Sequence, residues 1–144
     1  RIILDNNLNT KINSYIFKSA NNMNTIIFYN NANKKKISLF KKKGIQLIKS
    51  NLTKNKYFDL KVVLKKLYKI GCRNILVEGG DNLSGNFLIN KLFNQFYLFK
   101  STKFLSKSSP HKDFNHLKYL IHNYKTKFKI NKKLSKDTII LYRK

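Results

Sequence analysis

The chain has 144 residues, a length that fits one domain with a real core and excludes two large ones. Hydrophobic residues make up 42% and charged residues 26%, with five Gly and one Pro, which excludes a disordered, collagen-like or low-complexity chain. Lys and Arg number 31 against 6 Asp and Glu, a formal charge of +25, yet only Arg1, Arg73 and Arg143 are Arg.

Arg is the side chain that forks onto guanine edges and phosphates, so its scarcity argues against a sequence-reading nucleic-acid module. The charge is read as solvated Lys faces, with a surface for small anionic substrates as the alternative. Cys72, the single cysteine, cannot form an internal disulfide, and no apolar run approaches the ~18 residues of a membrane span. The expectation is a soluble, cytoplasmic protein without a membrane partner. A chain that opens on Arg1 instead of Met also reads as a piece of a longer one.

In chain order, residues 1–4 (RIIL), 25–29 (TIIFY) and 45–48 (IQLI) read as strands, each bounded by polar residues. Between the last two, residues 33–43 form a helix with Ile37 and Phe40 inward, stopped by Gly44. The clearest helix follows: Asp59 is a good N-cap, Leu60, Val63, Leu64 and Leu67 share one face, and Gly71 closes it. Residues 74–77 then read as a buried strand, followed by Glu78, Gly79 and Gly80 and a helix over 82–91 with Leu83, Phe87, Leu88 and Leu92 inward. The last third predicts a long strand over 95–105, a loop at 106–110, a helix over 113–124 with Leu117, Leu120, Ile121 and Tyr124 as its stripe, and an antiparallel pair at 126–130 and 138–142. Strands joined by crossover helices imply an α/β fold, a three-layer α-β-α arrangement around a mainly parallel sheet with antiparallel C-terminal strands.

The informative segment is ILVEGGDNLSGN, residues 75–86. A strand that runs into a Gly pair and then a helix start is the arrangement in which free backbone N–H groups hold an anion, and open α/β sheets bind ligands at that edge. It is not a Walker loop, since Gly85 is followed by Asn86 and Phe87, and it is not G-x-G-x-x-G. A plain tight turn explains a Gly pair equally well. Glu78 tips the balance toward a site: it is the one glutamate of the chain and ends the apolar run at the ligand-binding edge. His111, His116 and His122, spaced by five and six, do not share a helical face, so no metal site is expected, and Cys72 reads as a small core residue.

The segment L-V-E-G-G, the L-S-G turn at 83–85, the opening R-I-I-L-D, the F-D-L at 58–60 and the strand before K-F-L at 103–105 together resemble the reductase domain of the bifunctional riboflavin-biosynthesis deaminase/reductase family, which has the dihydrofolate reductase-like fold. The resemblance spans most of the chain as one partial reductase domain, residues 1–144. It implies NADPH-dependent reduction of 5-amino-6-(5-phosphoribosylamino)uracil to the ribitylamino form, with the phosphoribosylaminopyrimidine as small-molecule substrate, a homodimer, and hydride positioning in place of catalytic acid–base residues. Carried over by position, Glu78 contacts substrate, while Asn6, Gly80, Asp81, Asn82, Leu83, Ser84, Gly85 and Asn86 contact the cofactor.

Three departures stand out. The family has Ser where Asn6 stands, and small residues or Thr where Asp81 and Asn82 stand, so Asp81 sets a negative charge beside an anionic cofactor unless it caps the helix. Thr102 and Ser106 replace the family's Pro and Gly. The family's domain also begins well before this first strand, which makes an upstream reductase/deaminase polypeptide an implied partner. The alternatives are a non-catalytic remnant or interaction subunit of that enzyme, and a Lys-rich nucleic-acid-binding module.

Overall fold

The computed structural model describes residues 1–22, 24–101, 114–130 and 137–144. They form two compact units, Arg1–Asn74 and Ile75–Lys144.

In the first unit, β1 (Ile2–Leu4), β2 (Ile26–Tyr29) and β3 (Gln46–Lys49) pair in parallel in the order β1-β2-β3. Alternation along the strands sends one row to each face. Ile3, Ile27 and Leu47 are in register and pack with Phe17 and Phe40 from α1 (Tyr15–Lys18) and α2 (Lys34–Lys42), whose rings meet edge-on at 5.1 Å. Leu4, Phe28 and Ile48 form the next row and pack with Val63 and Leu67 of α3 (Leu60–Lys69). Helices therefore cover both faces, as the crossover pattern requires. Ile27 and Phe28 are fully buried, and each such side chain contributes roughly 1.5–3 kcal/mol of burial.

The predicted punctuation is present. Asp59 caps α3 by accepting from the Lys61 and Val62 N–H groups, while Asn33, expected as the first residue inside its helix, instead caps α2 by accepting from the Lys36 N–H at 2.8 Å. Gly44 and Gly71 take the left-handed conformation after α2 and α3, at φ +82° and +97°. At Gly44 a Cβ would also lie 2.9 Å from the Asn22 nitrogen, so the residue is required twice over. Helix α1 was not predicted: a single turn carries too few residues to show a period, and its one signal is the Ser14 cap. Cys72 is half-buried against the Phe28, Val63 and Leu67 cluster, as a small apolar residue.

In the second unit, β4 (Gln95–Lys100), β5 (Lys127–Ile130) and β6 (Thr138–Arg143) form an antiparallel sheet in the order β4-β6-β5. Helices α4 (Asp81–Ile89) and α5 (Leu117–Asn123) supply Leu88 and Leu120 to a core that includes Tyr124, Tyr142, Phe96 and Leu98. The buried Tyr124 hydroxyl donates to the Leu88 carbonyl at 3.1 Å, tying the end of α5 to α4. Ile121, expected inward, is exposed, and Tyr119 takes its place beside the core. The loop expected at 106–110, Thr102 and the 103–105 strand end lie outside the described residues.

One expected element is absent. Residues 74–77 pair with neither sheet, Leu76 is 80% exposed, and none of the backbone N–H groups of 73–80 finds an acceptor among the described residues. The described strands form one three-stranded parallel sheet and one three-stranded antiparallel sheet. The run Ile75-Leu76-Val77 reports β-propensity and apolarity, but a strand also needs a neighbouring edge, and sequence pattern carries no information about that partner.

Candidate functional site

In the first unit the polar residues that follow each parallel strand gather at the carboxyl edge of the sheet, where open α/β sheets place ligands. Asn6 follows β1, and its carbonyl accepts from the N–H groups of Asn30 and Asn31 at 2.9 and 3.1 Å. Asn30 in turn donates through Nδ2 to the Ser50 carbonyl at 3.1 Å, and the Ser50 N–H donates to Tyr29 at 2.8 Å. Two side-chain oxygens of this group, Asn6 Oδ1 and Ser50 Oγ, are buried with no hydrogen-bond partner among the described residues. Such groups are uncommon in folded proteins because each costs about 1–3 kcal/mol, so they mark where a donor belongs.

The loop after β1 is held by Asp5. Its carboxylate accepts from the Asn9 N–H at 2.8 Å, and from the Thr10 N–H and hydroxyl, both at 2.7 Å. Burial works to raise the Asp5 pKa, but these bonds together with one from Asn7 outweigh it and hold the carboxyl below its usual 3.8. Leu8, at φ 51°, turns the chain so that its side chain is buried in the core.

In the second unit the start of α4 is the notable feature. Gly80 is its N-cap and offers no side-chain acceptor, and among the described residues the N–H groups of Asp81 and Asn82 find no acceptor. Only from Leu83 and Ser84 onward do N–H groups bond back, both to the Gly80 carbonyl at 3.1 Å. Unpaired N–H groups and the helix dipole make this end electropositive. A Cβ on Gly80 would meet nothing within 4 Å among the described residues. At Gly79 a Cβ would lie 2.7 Å from Leu83 Cδ2, and Ser84 Oγ donates to the Gly79 carbonyl at 3.3 Å, which fixes the turn from behind.

Asp81 does not cap the helix. Its carboxylate accepts from Asn115 N–H at 3.0 Å and Asn115 Nδ2 at 2.8 Å, and pairs with His116 Nδ1 at 2.9 Å. The His116 bond is the main reason that the Asp81 carboxyl titrates below its usual 3.8, and the Asn115 bonds add to it. Of the other expected cofactor residues, Asn82 is exposed beside the open end, Leu83 packs on Gly79, and Asn86 donates through Nδ2 to the Asn82 carbonyl at 2.8 Å. Gly85 is buried on α4 beneath the His116 ring, away from the helix end. Glu78 is exposed on the unpaired segment 73–80 and not at the end of a strand.

The structure thus brings 78–86 together around one helix start and leaves Asn6 in the other unit. Sequence reading missed Asn30, Ser50, Asn115 and His116. Asn30 had a usable signal, a polar residue directly after the strand predicted at 25–29, whereas Ser50 lies two residues past the strand predicted at 45–48, and the last two are 34 and 35 residues from Asp81 and had none.

The arrangement can be set beside known proteins. The chain matches the RibD C-terminal domain family over residues 1–130. It belongs to that family. The riboflavin biosynthesis protein RibD of Aquifex aeolicus is 26% identical over 144 residues, all of this chain and 38% of that protein. The RibD of Actinobacillus pleuropneumoniae is 26% identical over 103 residues, 72% of this chain and 27% of that one. The chain therefore spans well under half the length of these curated relatives. Among solved structures, Acinetobacter baumannii RibD shares the fold at TM-score 0.70 and 17% identity, covering 99% of this chain and 37% of that one. A pyrimidine reductase-like protein of Corynebacterium diphtheriae gives 0.67 and 14%, with 99% and 59% covered. The α/β fold expected from the strand and helix order is the fold of this family.

Proposed function

We propose that the chain is the reductase part of a riboflavin-biosynthesis enzyme, carrying the NADPH-dependent reduction of 5-amino-6-(5-phosphoribosylamino)uracil to its ribitylamino form. The observation that carries this reading is the open start of α4, directly after Glu78-Gly79-Gly80 in a RibD-family chain. The residues present fit NADPH. Two N–H groups at the start of α4, without an acceptor among the described residues, suit a pyrophosphate oxygen. NADPH, when bound, supplies the hydride that reduces the sugar C1′.

The chain's own residues bind and orient. Gly80 leaves room for the phosphates, and the Asp81 and Asn82 N–H groups donate to them. Leu83, Ser84, Gly85 and Asn86 hold the turn and first helical turns in shape behind that contact. The Glu78 carboxylate accepts from a hydroxyl of the substrate and fixes its pose. Most of the rate then comes from holding donor and acceptor carbons together, and little from proton transfer by side chains.

Two partners belong to the proposal. One is an upstream reductase/deaminase polypeptide, covalent or separate, whose strand pairs with residues 74–77; their unpaired N–H groups and the exposed Ile75 and Leu76 support it. The other is a second copy. Tyr97, Phe99 and Phe128 stand exposed on the face of the β4-β6-β5 sheet opposite its helices, and two such faces packed together form a homodimer. The proposed place of work is the cytoplasm; no helix among the described residues is long and apolar enough to cross a membrane.

Titrating the chain with NADPH and NADH at two salt concentrations tests the reading. Saturable binding that prefers NADPH is expected; binding lost at modest salt would favour Lys-driven polyanion attraction, and no binding a non-catalytic remnant. With the complementing polypeptide present, Glu78→Gln is expected to lower turnover roughly tenfold or more, the scale of a charged hydrogen bond, at unchanged Tm. A large fall in Tm would make Glu78 structural instead.

A further inference from the structure

Asp81 poses a problem for the proposed cofactor site: a carboxylate in the first turn of α4 stands where it would repel a phosphate from the same helix end. The structure shows which groups hold that carboxylate. Both carboxylate oxygens are engaged by the segment that opens α5, through the Asn115 backbone and amide and the His116 Nδ1. His116 is itself the N-cap residue of α5, so one side-chain bond ties two helix starts together. Its ring is held on both sides. Phe114 lies 5.8 Å away by ring centroids, and Gly85 lies beneath it.

Gly85 is the telling residue. It occupies the middle of a nine-residue helix, at a helical φ, where glycine is the poorest choice apart from proline. A Cβ there would fall 2.3–2.6 Å from three atoms of the His116 imidazole, closer than any real contact. The glycine therefore serves the ring and not the backbone. A structural imidazole could be replaced by any flat side chain, but this one presents a nitrogen to a carboxylate at 2.9 Å.

We infer that His116 is a positioning residue for anion binding at the start of α4: it draws off the Asp81 carboxylate, so that the open Asp81 and Asn82 N–H groups meet a phosphate unopposed. The inference rests on the reading that this helix end holds NADPH. It adds a residue distant in sequence whose role is exerted through Asp81 and not by contact with the ligand.

The test is a set of NADPH titrations of the full chain by nicotinamide fluorescence, with melting curves alongside. His116→Ala is expected to weaken binding roughly tenfold, because the freed carboxylate opposes the helix dipole. Asp81→Asn added to His116→Ala is expected to return affinity to within about threefold of the original chain, since the offending charge is gone. Packing alone cannot produce that rescue. A double variant that binds no better than His116→Ala overturns the inference, as does a His116→Ala chain that binds like the original. If the original chain fails to bind NADPH, the functional reading falls and takes the inference with it, whereas binding that is indifferent to His116 removes the inference alone.

Discussion

Two helices of this chain begin beside an aspartate, and the two aspartates do opposite things. Before α3, Asp59 sits at the N-cap in extended conformation and accepts from the Lys61 and Val62 N–H groups, closing that end with its own side chain. In α4, Asp81 lies one residue later, inside the helix, and its carboxylate is taken by Asn115 and His116, leaving the first N–H groups without an acceptor among the described residues. A shift of one position relative to the cap converts a closed helix end into an open one. Stability is built at the first and binding capacity at the second.

The largest expected effect breaks the second end. Gly80→Glu is predicted to abolish NADPH binding, because a carboxylate placed at the cap both fills the approach and competes for the open N–H groups. The fold is expected to survive, since Gly80 has φ −69° and open space around its Cβ position. Calorimetric titration with a parallel melting curve checks both halves, and retained binding would refute the assignment of this helix end.

A smaller effect is expected at the first end. Asp59→Ala should remove about 1 kcal/mol of stability, the usual worth of a cap, and lower Tm by ~3 °C. NADPH affinity should not move, which would sharpen the division between the two helix starts; a comparable loss of affinity would erase it.

The smallest concerns Asp5, a carboxylate that, like Asp59, closes local N–H groups. Its folded pKa is depressed below 3.8, so its contribution is present above that pH and is lost as pH falls through the folded value. Below pH 3.8 the chain should lose stability faster than an Asp5→Asn variant, whose curve there should be flatter. Melting curves across that range decide it, and parallel curves would assign the stabilisation to other groups.

Much of the first unit was legible because its signals are local. The period of Leu60, Val63 and Leu67, the cap Asp59, and the stops Gly44 and Gly71 each act within a few residues, and all recur in the structure. The candidate site was legible only as a segment. The motif at 78–86 marks the right helix start, but the strand expected before it is unpaired, and the fate of Asp81 depends on a residue 35 positions away.

What the amino-acid sequence determined by itself was the alternation of strand and helix, the placement of turns, and the family-like motif around Glu78. These follow from side-chain period, backbone restriction at glycine and short-range hydrogen bonding, all of which are properties of neighbours along the chain. Only the tertiary structure decided which buried oxygens lack donors, which strands find edges, and where the Asp81 charge goes. Those outcomes depend on groups brought together from distant positions, and Coulomb and hydrogen-bond energies depend on distance in space, which the order of residues does not contain.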